Sequence, residues 1–341
     1  KPISETTKTT TMATLFKSHR LMATCTGRYN LFSPSYCRLS RNTGAPFSTS
    51  TPNLSQEQGG GLELNYEWLT PKGADSRHVV VFLHGLLGNG RNLRTMAKKM
   101  CDTFIQPGLL LDLRGHGSSP VPPNGSKTTF DACVQDLKLT FEEIPQITNN
   151  SPITLVGHSW GGRVSLQYAF NALQQTDLPR PKRVWLLDTV PGHANSSVER
   201  VIRTVTEVSS KERMTDRKKV TEQLISLGIE QGTAQWLASS LQRKSDGTFQ
   251  FSFDLDVIQE LLPEFQNQDY IGMLETVTTK GGIRVDLVRG GKNKGWTEDV
   301  MKPLKALEGP NFGIHTLPQA GHWLHVEDLQ GLLEVVDVSY P

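Results

Sequence analysis

Gly157-His158-Ser159-Trp160-Gly161-Gly162 sets one hydroxyl among glycines, where an apolar run with strand character meets a segment with helical spacing. A strand that turns into a helix within so few residues forces a strained backbone on the residue at the corner. Its neighbours must be small, and glycine fits because it has no Cβ to clash. The chemistry such a corner serves is nucleophilic attack. Ser159 Oγ would project above the sheet edge, and the amide N–H groups opening the helix would face developing negative charge.

A serine nucleophile needs donors for an oxyanion and a base for its proton. His84-Gly85-Leu86-Leu87-Gly88 ends the first buried strand. In a strand–turn–helix arrangement of this kind, the loop after that strand supplies one oxyanion N–H and the residue after the nucleophile supplies the other. We assign Trp160 N–H and Leu86 N–H, with Leu87 as the alternative, and read His84 as a loop brace. The base is expected after the final strand, where three histidines occur. His315 lies inside a strand run and reads as structural. His322, in Gly321-His322-Trp323, falls in the loop between last strand and last helix, where an imidazole can overhang the sheet edge, and it is our choice. His325, at the start of that helix, is the second candidate.

The surrounding elements alternate. Strands are expected at 78–83, 109–113, 153–156, 183–187, 283–288 and 312–317. Helices are expected at 93–100, 130–144 and 160–173, around 298–307, and from Val326 onward. Such alternation implies an α/β fold, a mostly parallel doubly wound sheet covered on both faces, with its ligand crevice at the carboxyl ends of the strands. Between Thr189 and Lys280 no strand run is seen, only helical stripes such as Val198, Val201, Ile202, Val205 and Val208. We read 189–280 as a helical lid inserted before the penultimate strand. The charged run 211–219 reads as its solvated face, and Asp246-Gly247 as a turn within it. The core is then 62–188 with 281–341.

Composition narrows the classes. The 341 residues are 36% hydrophobic and 21% charged, with a formal net charge of +2. No apolar stretch reaches the roughly 18–20 residues of a membrane-spanning helix, so no integral membrane segment is expected. Residues 1–55 hold seven Lys/Arg and one acid, which leaves −4 on the other 286 residues. A mildly acidic body offers no footprint for nucleic acid. Cys25, Cys37, Cys101 and Cys133 form no CxxC pair and no metal-ligand spacing, so neither a disulfide framework nor a metal site is expected. Residues 12–55 lack Asp and Glu and are rich in Ser, Thr and Arg, the composition of an organelle transit peptide. We read residues 1–58 as a disordered leader with a mitochondrial address, a plastid one being the alternative.

Taken together, residues 62–340 resemble the α/β-hydrolase fold family, specifically its lidded esterases and lipases with abhydrolase domains, including a mitochondrial branch. Four stations carry the resemblance in order: His84 to Gly88, Leu111 to Ser118, Gly157 to Gly162, and Ala320 to Trp323. The resemblance implies that Asp112, Arg114 and His116 brace the second station. It also implies an acid partner for His322, usually placed after the penultimate strand. There Arg289 to Lys294 contains no carboxylate, and Asp286 is mid-strand, facing a neighbouring layer. Asp188, ending the preceding strand, occupies a second acid location known in this fold and is our assignment; Asp256, at a lid-helix start, is the alternative. The expected activity is hydrolysis of an acyl ester or related small acyl compound through Ser159, His322 and Asp188, with an acyl-enzyme and no metal or organic cofactor. A carbon–carbon bond hydrolase, or a ligand receptor built on an intact hydrolase site, are the other readings. Substrate chain length and oligomeric state are not readable from the chain.

Overall fold

A computed structural model of the chain describes residues 61–74, 78–147, 152–192, 196–211 and 213–338; the expected leader lies outside them. The strands are β1 Tyr66–Leu69, β2 Val79–Leu83, β3 Gly108–Leu111, β4 Ile153–His158, β5 Pro181–Leu187, β6 Leu241–Arg243, β7 Phe249–Phe251, β8 Arg284–Gly290 and β9 Phe312–Leu317. The helices are α1 Gly90–Phe104, α2 Phe130–Glu142, α3 Trp160–Asn171, α4 Ser196–Lys211, α5 Arg217–Ser226, α6 Gln231–Ser239, α7 Leu255–Asn267, α8 Tyr270–Glu275, α9 Glu298–Ala306, α10 Leu324–Glu327 and α11 Leu329–Val335.

Seven strands form one sheet in the order β1-β3-β2-β4-β5-β8-β9. All neighbours pair in parallel except β1 with β3. Period-2 alternation sorts the apolar runs onto two faces. Val79, Val81, Leu83, Leu155, Val184 and Leu186 join one buried cluster with α2 and α3. Val80, Phe82, Val156, Trp185 and Leu187 join another with α1 and α11. Burial on both faces explains why these strands read as continuous apolar runs. The chain runs from β2 outward to β3 and then returns to the other side of β2 with β4. The sheet therefore changes direction between β2 and β4, where a doubly wound sheet opens a crevice at its carboxyl edge.

Three expectations need correction. Tyr66–Leu69 is an antiparallel edge strand that the sequence reading passed over; it is short and only its last residue is buried, so it carries little apolar signal. The segment 189–280 is not purely helical, because β6 and β7 pair antiparallel about Asp246-Gly247, with Gly247 at φ 82°. That turn was legible, but strands of three residues fall below what periodicity detects. The final helix is two helices, α10 and α11, divided at Asp328, whose carboxylate accepts the Gly331 N–H.

The segment between β5 and β8 builds its own apolar cluster, in which Ile202, Val205, Val208, Val220, Leu224 and Leu237 are joined by Leu87 of the β2–α1 loop. It is also hydrogen-bonded to the loop after β3: Gly117 N–H donates to Ser252 O at 2.6 Å, and Asp254 N–H to Gly115 O at 2.7 Å. That loop is anchored by a buried ion pair. Arg114 spans Asp136 of α2 with both Nε (2.6 Å) and Nη2 (2.8 Å), and Asp136 also accepts the Leu62 N–H at 2.6 Å. Both side chains are almost wholly enclosed. Removing the cation strands a carboxylate in the interior, so Arg114→Met should lower unfolding free energy by roughly 3–5 kcal/mol in urea denaturation. A loss below about 1 kcal/mol would show that this pair does not hold the loop.

Candidate active site

The elbow is built as its glycines require. Ser159 sits at φ 53°, ψ −114°, immediately after β4, and caps α3. Its N–H donates to Leu187 O at 2.9 Å, while its carbonyl accepts the Gly162 N–H at 3.0 Å. A Cβ at Gly157 would collide with the Gly161 backbone, one at Gly161 with the Leu83 and His84 carbonyls, and one at Gly162 with Thr189. A left-handed non-glycine residue costs on the order of 1–3 kcal/mol, and here the surrounding contacts impose it.

The neighbouring strand ends the same way. Asp188 follows β5 at φ 47°, with its N–H bonded to Val288 O at 2.7 Å. Its side chain is fully buried, and each oxygen takes two donors. Oδ1 accepts Gly290 N–H (2.8 Å) and Trp296 Nε1–H (2.7 Å). Oδ2 accepts Asn293 Nδ2–H and His322 Nδ1, the latter at 2.7 Å. A carboxylate bonded to Nδ1 fixes the proton there in the neutral ring and leaves the Nε2 lone pair outward. The imidazole of His322 is 34% exposed. Among the described residues, the Ser159 hydroxyl makes no hydrogen bond.

His322 belongs to the loop between β9 and α10, and the β8–α9 loop closes against it. Lys292 N–H donates to Ala320 O at 2.9 Å, and a Cβ at Gly290 would collide with the Gly321 carbonyl. The penultimate-strand loop thus contributes Asn293 and Trp296 as donors to the Asp188 carboxylate. Sequence reading missed both. The available signal was an Asn standing in a loop with no carboxylate of its own.

In the β2–α1 loop, Gly85 to Gly88 form a turn closed by Gly88 N–H to Gly85 O at 3.1 Å, with Leu87 at φ 64°. Leu87 N–H is taken by His116 Nε2 at 3.3 Å. Among the described residues, the N–H groups of Leu86 and Trp160 have no acceptor. His84 bridges Gly85 O (2.8 Å) and Leu113 N–H (2.9 Å), and Asp112 accepts Gly90 N–H (2.7 Å) and Ser118 N–H (2.9 Å). All three side chains tie loops together.

The other weighed residues lie elsewhere. Asp256 is exposed at the start of α7. Asp286 is buried mid-strand against Arg183, Arg284 and His315. His325 is buried with neither ring nitrogen hydrogen-bonded, 4.8 Å between ring centroids from His158. From the inserted segment, Trp236 of α6 meets Trp323 at 4.4 Å between centroids, directly after His322. Among the described residues, no group of three or more His, Cys, Asp or Glu could hold a metal ion, and no helix is long and apolar enough to cross a membrane.

The strand order and its carboxyl edge are those of the α/β-hydrolase fold. A family model for the α/β hydrolase fold matches residues 78–207. The mouse sn-1-specific diacylglycerol lipase ABHD11 is 28% identical over 283 residues, 81% of this chain and 84% of that one. Esterase YbfF of Escherichia coli is 25% identical over 81% of this chain and 98% of its own length. Among solved structures, a marine microorganism esterase superposes with a TM-score of 0.65 at 20% identity, covering 81% of this chain and all of that chain. The chain has the α/β-hydrolase fold.

Burial holds four histidines neutral. It lowers His84 and His325 to about 4 and His116 to about 3, and, aided by the nearby His322 and His325 rings, sends His158 well below the ordinary 6.5. The unfolded chain binds these protons below pH 6.5, while in the folded chain His84 and His325 take theirs only near pH 4 and His116 only near pH 3, so their contribution is complete above 6.5 and is lost as pH falls. The urea midpoint should therefore drop from pH 6.5 to 4.5. His325→Leu, which removes an imidazole without hydrogen bonds, should flatten that slope without loss of stability at neutral pH. An unchanged slope would show that His325 is not held neutral by the fold.

Proposed function

We propose that this chain is a serine hydrolase that cleaves an acyl ester through Ser159, His322 and Asp188. The observation that carries the reading is the 2.7 Å contact of His322 Nδ1 with a buried carboxylate at the strand end next to the elbow. Every other donor to Asp188 is neutral, which leaves its negative charge to stabilise the imidazolium. His322 Nε2 takes the Ser159 proton as Oγ bonds to the acyl carbon, and the carbonyl oxygen, now anionic, is held by Leu86 and Trp160 N–H. Collapse of that adduct breaks the bond to the alcohol, which leaves with the proton from His322. Water, deprotonated by the same nitrogen, attacks the acyl-enzyme and releases the acid and Ser159. In the free enzyme the serine–histidine contact is open, and substrate closes it.

Relatives named as diacylglycerol lipase and esterase favour a small lipid ester as substrate. The inserted segment acts as the cap over this site. Its cluster includes Leu87, and Leu86 packs against both that cluster and the core. Trp236 reaches Trp323 from the same side.

A fluorophosphonate probe should label the wild type, and Ser159→Ala should abolish labelling and turnover of p-nitrophenyl esters. Asp188→Asn should lower kcat by about 10⁴-fold, whereas Asp256→Asn should retain most activity. The reverse order would transfer the acid role to Asp256. Sustained turnover separates the enzyme from a ligand receptor, which would stall after one acyl transfer, and activity confined to β-diketones would favour the carbon–carbon hydrolase reading. For the cap, Trp236→Ala should shift the ratio of kcat/KM between long and short acyl esters by about tenfold. An unaltered ratio would remove Trp236 from the acyl site.

A further inference from the structure

Ser159 and His322 come from segments 163 residues apart, yet a reaction between them tolerates little misplacement: a displacement of about 1 Å can cost on the order of 10²-fold in rate. Asp188 secures the imidazole only at Nδ1. What secures the main chain of the base is on the other side of the loop, and it is His158.

We propose that His158 is a positioning residue that holds the backbone of His322 in register with Ser159. Its ring is 1% exposed at the end of β4, and its Nε2 lies 2.9 Å from the His322 carbonyl oxygen. A carbonyl can only accept, so Nε2 carries the proton. Because the ring is neutral, Nδ1 is then bare. The Nδ1 edge faces the β2–α1 loop: a Cβ at Gly85 would stand 2.8 Å from His158 Nδ1 and 3.3 Å from Ser159 Cβ. The ring is further packed by His322, Trp323 and His325, at centroid distances of 4.8, 5.7 and 4.8 Å. One side chain therefore touches the base loop and the loop of the open Leu86 amide, and its own peptide bond leads into the nucleophile. Its backbone pairs with Leu187, next to Asp188. Phenylalanine would fill the same volume but offer no donor. Glutamine places an amide N–H near the position of the imidazole Nε2–H, whereas asparagine is too short to reach it.

This inference rests on the serine hydrolase reading, and the experiment separates the two. With a short p-nitrophenyl ester, His158→Phe should reduce kcat ten- to a hundredfold with KM within about twofold. His158→Gln should return kcat to within about threefold of wild type, and His158→Asn should remain low. The acid limb of the kcat/KM profile should move in the Phe and Asn variants and return with Gln, because a loosened His322 loses its fixed contact with Asp188. If His158→Phe does not fold, the Gln–Asn pair alone decides, since both are polar and differ in reach. Equal activity in all variants, or equal loss in Gln and Asn without movement of the acid limb, would overturn the positioning role. Activity surviving in Ser159→Ala would instead overturn the hydrolase reading itself.

Discussion

A buried carboxylate must have its charge answered, and at Asp188 the answer consists of three neutral N–H donors and one imidazole. An arginine in any of those places would have neutralised the carboxylate and removed its influence on the ring. Of the four donors, the His322 imidazole is the one that can itself carry a charge. Each donor demands a piece of architecture: a backbone N–H at the end of β8, an indole and an amide from the loop before α9, and an imidazole from the loop before α10. The carboxyl edge of the sheet is arranged around satisfying those two oxygens.

The same edge explains the paired left-handed residues. Ser159 and Asp188 both follow parallel strands, and each donates its N–H to the adjacent strand before the chain leaves the sheet. A positive φ lets the side chain rise from the strand end while the chain turns away. Aspartate tolerates that region better than most residues, whereas Ser159 depends on glycines that allow β4, α3 and the end of β2 to approach without side chains between them. Strain at two adjacent strand ends is held by the same ladder that stabilises the core.

The inserted segment is tied to the rest of the structure at several points. The residues after its hairpin are bonded to the Gly115–Gly117 loop, its apolar cluster includes Leu87, and its Trp236 ring meets Trp323, next to His322, at a tilted angle. Movement of this segment would be felt at the β2–α1 loop and at the loop between β9 and α10 together. Helical stripes of Val and Leu signalled that such a segment exists, but a stripe does not say which surface it will cover.

Local geometry was legible because it is encoded by neighbouring residues. Glycine spacing around Ser159 marks a strand-to-helix corner, continuous apolar runs mark strands buried on both faces, and a histidine in the last strand–helix loop marks itself by position. These are short-range constraints, readable from a single chain. What the tertiary structure alone decided is which distant groups meet. Asn293 and Trp296 serve a carboxylate more than a hundred residues away, Leu87 is taken by His116 so that Leu86 is left open, and the His158 ring finds the His322 carbonyl. Those contacts arise from strand order and loop closure, and a hydrogen bond between remote residues leaves no periodicity in the sequence that encodes it.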